Sequence, residues 1–109
     1  MSGTPGASPP SPVPYRIVTS AKVDQEVNAL VARADGLGLR QQVIDALDVL
    51  FERLRIYPQF GQPLIDLHHE QAQIWLATVP PLVVRYAIYE SRREVWIVTP
   101  IQAMSGSGL

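Results

Sequence analysis

Apolar residues change their spacing about halfway along the chain. Val23, Val27, Leu30, Val31 and Ala34 recur three and four apart, and Leu39, Val43, Leu47, Leu50 and Leu54 repeat the stripe, so each run predicts one face of a helix. Ser20 stands ahead of the first run as an N-cap, Gly36-Leu37-Gly38 stops it, and Pro58 disfavours helical geometry at Tyr57, where the second helix should end. Two helices joined by so short a glycine turn form an antiparallel hairpin. Beyond Gly61 the apolar runs become short and β-branched. Residues 64–67, 74–79, 82–89 and 94–99 read as strands, separated by His68-His69-Glu70-Gln71, Pro80-Pro81 and Glu90-Ser91-Arg92-Arg93. A further strand over residues 15–19 precedes the helices. The order β-α-α-β-β-β-β predicts an α+β domain: an N-terminal strand, an αα-hairpin, then an antiparallel strand meander, with both helices on one face of the sheet.

Composition sets the limits of that domain. Residues 1–14 hold five of the ten prolines and no charged side chain, which predicts a disordered proline-rich tail; its PxxP spacing, Pro9 to Pro12, lacks a basic flank. The folded domain is expected over residues 15–100, with a flexible C-terminal tail over 101–109. At 109 residues, 47% hydrophobic and 17% charged, the chain suits a single core. The absence of cysteine excludes disulfides, thiolate catalysis and cysteine-ligated metals. A net charge of −1 argues against indiscriminate nucleic-acid binding, yet eight of the nine cations are arginine, so local anion-binding patches remain open. No apolar run approaches the ~20 residues that span a bilayer. The N-terminus shows neither the cationic nor the apolar region of a signal peptide, and a cytoplasmic location is expected without a membrane partner.

Arg85 is the anomaly within an apolar run, Val83-Val84-Arg85-Tyr86-Ala87-Ile88-Tyr89. A permanently charged guanidinium there must face solvent, find a carboxylate, or serve a ligand such as phosphate. Regular alternation turns Val84, Tyr86 and Ile88 towards the helices, and Val83, Arg85, Ala87 and Tyr89 towards the open face. Glu90 and Glu94 are the nearest candidates for an internal ion pair with Arg85. Arg92 and Arg93, in the following turn, either keep a hairpin soluble or extend the positive patch to a partner or nucleic acid. Trp75 and Trp96 lie in strands, where an exposed indole on the open face would favour a binding surface. His68-His69-Glu70 reads as a solvated turn, because no third ligand is spaced to complete a metal site. Arg40, Arg53 and Arg55, interspersed with Asp45, Asp48 and Glu52, read as a solvated helix face. No metal and no organic cofactor is expected.

From Tyr15 to about Pro100 the chain resembles the RelE/ParE superfamily of bacterial type II toxins. The resemblance rests on the strand and αα-hairpin, on Leu54-x3-Pro58-x2-Gly61-x2-Leu64-x2-Leu67, and on the Arg-Tyr-x-Ile-Tyr segment from Arg85 to Tyr89. It implies a toxin held silent by a cognate antitoxin whose extended segment and helix wrap its surface. RelE-like members cut messenger RNA on the ribosome, and ParE-like members poison DNA gyrase; both targets stay open here. By the same resemblance Arg85 matches the strand arginine that contacts phosphate in RNA-cleaving members, and Tyr89 on the same face joins it as a candidate catalytic residue. Such relatives usually end with a histidine, tyrosine or lysine in or after the last strand. Residues 99–109 offer no group that transfers a proton near neutral pH, so the implied endoribonuclease site is depleted.

Overall fold

The computed structural model describes residues 13–109, and residues 1–12 of the expected tail lie outside the described residues. Five strands make one sheet: β1 (Arg16–Val18), β2 (Gln62–Leu67), β3 (Ala72–Val79), β4 (Leu82–Tyr89) and β5 (Glu94–Ala103), in the spatial order β1-β5-β4-β3-β2. The last four pair antiparallel with their chain neighbours, as a meander does. β1 joins the far side parallel to β5, with Ile17 opposite Val95. The α+β layout expected from the sequence is therefore present, with one parallel pair between the first strand and the last.

Between β1 and β2 run α1 (Ala21–Gly36) and α2 (Arg40–Ile56). The Ser20 hydroxyl accepts the Val23 N–H at 3.1 Å, satisfying one of the donors that a helix start leaves free. Gly38, at φ +74°, takes the left-handed conformation the inter-helix turn requires. α1 buries Val23, Leu30 and Ala34, while α2 buries Val43, Ala46, Leu47, Leu50 and Leu54. These side chains form one cluster with Val84, Tyr86 and Ile88 of β4 and Val95 and Ile97 of β5. Removal of that apolar surface from water is the main stabilising term.

The segment after α2 explains the Pro58 and Gly61 spacing. Tyr57 caps the helix through its N–H to the Arg53 carbonyl at 2.7 Å, and Pro58–Phe60 then form a 3₁₀ turn. The buried Tyr86 hydroxyl donates to the Pro58 carbonyl at 2.7 Å, and the Phe60 ring stacks on Tyr86 with centroids 6.3 Å apart. A Cβ at Gly61 would be driven into the Leu76 carbonyl and the Tyr86 hydroxyl. Glycine is therefore required there by close backbone approach.

The last strand runs further than the sequence predicts, into the segment read as a C-terminal tail. β5 continues to Ala103 instead of ending at Thr99, and Ala103 pairs with Leu82. Between its partners for Val83 and Arg85, β5 advances from Gln102 to Val98 while β4 advances two residues, so a bulge lies opposite this stretch. Ile101 is buried, Met104 N–H donates to the Pro81 carbonyl at 2.8 Å, and Leu109 packs against the core. The apolar character of Ile101 and Leu109 draws the C-terminus onto the domain.

Candidate functional site

Opposite residues of paired strands share a face, so the register defines what surrounds Arg85. Arg85 lies between Leu76 of β3 and Val98 of β5, with Ala87 and Val83 two residues away along its own strand. Leu76, Val98 and Val83 are half-buried and Ala87 is buried, whereas Arg85 is exposed. The guanidinium thus rises from an apolar floor on the side of the sheet away from the helices. Among the described residues it forms no ion pair.

Both carboxylates that could have neutralised it are held elsewhere. Glu94, at the start of β5, is 8% exposed and pairs with Arg16, its register partner on β1. The Trp96 indole N–H also donates to Glu94 at 3.1 Å, and Arg92 Nε lies 3.8 Å away. The Trp96 hydrogen bond, followed by that from Arg16, holds the Glu94 carboxyl below the usual carboxylate range. Glu90 accepts the Tyr15 hydroxyl on both oxygens, at 2.8 and 2.7 Å, together with Gln59 Nε2 at 3.1 Å and Arg93 at 3.0 Å. Burial pushes the Tyr15 phenol up, with Gln59 opposing and the Glu90 carboxylate adding to the rise.

The other expected site residues separate into two groups. Tyr89 shares the open face with Arg85, but four residues of strand place them ~13 Å apart at about 3.3 Å per residue. Tyr89 instead meets Trp96 edge-on at 6.1 Å and carries the Arg92 guanidinium 4.3 Å above its ring. Arg92 therefore belongs to the open-face cluster, with Tyr89, Trp96, Glu94 and Arg16. Arg93 does not: in the left-handed conformation at φ 52° it stacks 4.1 Å over Tyr15 and donates to the Val13 carbonyl at 2.7 Å. It fastens the β4–β5 turn to the residues ahead of β1.

Trp96 is 42% exposed on this face, whereas Trp75 points the other way and packs against the core. His68 lies near Asp66, with Nδ1 3.4 Å from the carboxylate, in an exposed 3₁₀ turn. No cluster of three metal-ligating side chains occurs among the described residues. A groove of about 600 Å³ between α2, the Pro80–Pro81 turn and residues 104–107 includes neither Arg85 nor its neighbours in its lining. No helix among the described residues is long and apolar enough to cross a membrane.

Sequence reasoning missed the Arg16–Glu94–Trp96 and Tyr15–Gln59–Glu90 contacts. Both depend on β1 lying beside β5, a pairing across 78 residues that no local pattern signals. Comparison with family models and with curated proteins gives no match for this chain.

Proposed function

We propose that the chain is the toxin-like component of a bacterial type II toxin–antitoxin pair of RelE/ParE type, acting in the cytoplasm with a depleted catalytic set and with Arg85 at its functional surface. The observation that carries this reading is an exposed guanidinium on the open sheet face whose two nearest candidate carboxylates are bound by other groups. The element order, strand then αα-hairpin then meander, supports it.

Cleavage of RNA through the 2′-hydroxyl needs charge stabilisation and also proton transfer. Arg85 supplies the first. Glu94, the carboxylate on its face, is kept ionised and occupied by Trp96 and Arg16, which makes it a poor base and no acid near neutral pH. Without acid–base help, cleavage should be weaker by the ~10²–10⁴-fold such catalysis contributes. A gyrase-directed action fits this set better than a messenger-directed one.

Expression without an antitoxin should therefore give mild growth arrest or gyrase-type damage and no rapid messenger decay. The effect should fall in Arg85→Ala and return only in part in Arg85→Lys, which restores charge without the planar fork. Rapid ribosome-dependent cleavage by the wild type would refute the depleted site, and equal effects of wild type and Arg85→Ala would remove Arg85 from it.

A second reading, a non-catalytic protein-binding module with the same fold, is favoured by the exposed Trp96 beside Tyr89 and Arg92, residue types that dominate protein contacts. Complex formation with the product of the adjacent gene, without any growth effect on expression alone, would select it.

A further inference from the structure

We infer that the Arg16–Glu94–Arg92 cluster and the exposed Trp96 beside it form a binding site for a free nucleoside monophosphate, its phosphate held by the two guanidiniums and its base stacked on the indole. The site lies away from Arg85: Glu94 and Val98, the register partners of Tyr89 and Arg85, are ~13 Å apart along β5. Charge points to the phosphate. Two arginines converge on the single carboxylate of Glu94, Arg16 on Oε2 and Arg92 with Nε 3.8 Å from Oε1, so the cluster keeps one unmatched positive charge. Glu90 and Arg93, the next charges along the chain, neutralise each other. The Glu94 carboxylate lies buried beneath two mostly exposed guanidiniums, whose remaining N–H groups meet no other acceptor among the described residues. A phosphate monoester brings about −1.5 to −2 charge and three acceptor oxygens to one point, whereas each phosphodiester of a polynucleotide carries a single negative charge. Two cations meeting at one place suit the monoester; a polynucleotide calls for cations spaced in a row.

The aromatic side decides what carries the phosphate. The Trp96 indole is exposed, yet its N–H donates to Glu94 at 3.1 Å and its edge meets Tyr89 at 6.1 Å, so the ring is presented to solvent in one orientation. Tyr89 in turn carries the Arg92 guanidinium 4.3 Å above its ring and holds it at the cluster. Stacking on such a ring is open to any base, because every base has a π-face. Glu94 stands between the indole, on Oε1, and Arg16, on Oε2. The ribose of a nucleotide spans a gap of that kind between base and phosphate, whereas in phosphotyrosine the phosphate is bonded to the ring itself.

The inference goes beyond the reading above and does not depend on Arg85. Calorimetric titration of the full chain with adenosine monophosphate should saturate with a Kd below about 1 mM, accompanied by quenching of tryptophan emission. Adenosine, which lacks the phosphate, and ribose phosphate, which lacks the base, should each bind at least about tenfold more weakly. Trp96→Ala, Arg16→Ala and Arg92→Ala should each weaken binding at least about fivefold, Trp96→Phe less because it keeps a ring, and Arg85→Ala not at all. An unchanged melting temperature shows that a variant is folded, and Arg92→Ala, at an exposed turn position, carries the test if Arg16→Ala is not. No saturation up to about 10 mM, or competition by inorganic phosphate as strong as by the nucleotide, would overturn the inference. Tighter binding of phenyl phosphate than of the nucleotide, tighter binding of a fluorescent oligouridine, or loss of nucleotide binding in Arg85→Ala would overturn it as well. A toxic chain that binds no nucleotide would fail this inference alone. A harmless chain that binds one would fail the toxin reading alone.

Discussion

Along β4, residues that point towards the helices and residues that point away differ in what their neighbours supply. Val84, Tyr86 and Ile88 are buried in one cluster with side chains of the two helices, and the polar atom among them, the Tyr86 hydroxyl, ends on the Pro58 carbonyl. On the other side Arg85 stands between Leu76 and Val98 with no ion-pair partner among the described residues, although carboxylates occur nearby in sequence. One side is complete without a ligand. The other has its nearby anions assigned to other cations, and this leaves Arg85 available to something outside the chain.

The largest test of that contrast is stability. Tyr86→Ala empties a site that is 0% exposed, unstacks Phe60 and orphans the Pro58 carbonyl, so it should cost about 3–5 kcal/mol in urea or thermal unfolding. Arg85→Ala should stay within about 0.5 kcal/mol of the parent, as surface changes without a structural role do. A loss of several kcal/mol in Arg85→Ala would mean that the arginine is structural after all.

Much of the inward side was legible because it depends on local periodicity. The stripe Val43, Leu47, Leu50 and Leu54 is buried as expected, and the alternation of β4 assigned Val84, Tyr86 and Ile88 to the core. The outward side was legible only in part. Arg85 was found because its residue type conflicts with its surroundings, a signal carried by the sequence itself. The fate of Glu90 and Glu94 was not legible. It depends on Arg16, Tyr15 and Gln59, which the fold brings from 31 to 78 residues away. Alternation put Tyr89 on the face of Arg85, four residues along the strand, and could say nothing of the Trp96 and Arg92 rings and charges that meet it there. The extension of β5 to Ala103 was hidden by Pro100 in the sequence, a residue type that ordinarily marks a strand end.

The two sides also differ in how they respond to pH. Burial pushes the Tyr86 phenol up to about 12. A folded pKa above the unfolded value stabilises the fold fully below about pH 10, and this contribution is lost as pH rises from about 10 to about 12. Glu94 has the opposite sign. Its pKa is lowered on folding, so its contribution is present above the ordinary glutamate pKa of about 4.3 and is lost as pH falls through the folded value. Unfolding measured from pH 3 to 11 should show both limbs. Tyr86→Phe should flatten the alkaline limb, leaving the part due to Tyr15, and Glu94→Gln should flatten the acid limb alone. An alkaline limb unchanged by Tyr86→Phe would contradict the enclosed hydroxyl.

The smallest test concerns arginines that are spent and arginines that are free. Gln71 and Arg93 occupy equivalent positions after two 3₁₀ turns, at φ 53° and φ 52°, where a side chain costs about 1–2 kcal/mol and glycine does not. After subtraction of glycine's extra chain entropy, about 0.5–1 kcal/mol, Gln71→Gly should be neutral or stabilising by up to about 1 kcal/mol. Arg93→Gly relieves the same backbone strain but loses the Glu90 ion pair, the stack on Tyr15 and the bonds to the Val13 carbonyl. Exposed pairs of this kind contribute about 0.2–1 kcal/mol each. The two variants should therefore differ by about 1 kcal/mol in urea denaturation, with Arg93→Gly the less stable. If both gain equally, the internal contacts of Arg93 contribute nothing, and that arginine is as available to a partner as Arg85.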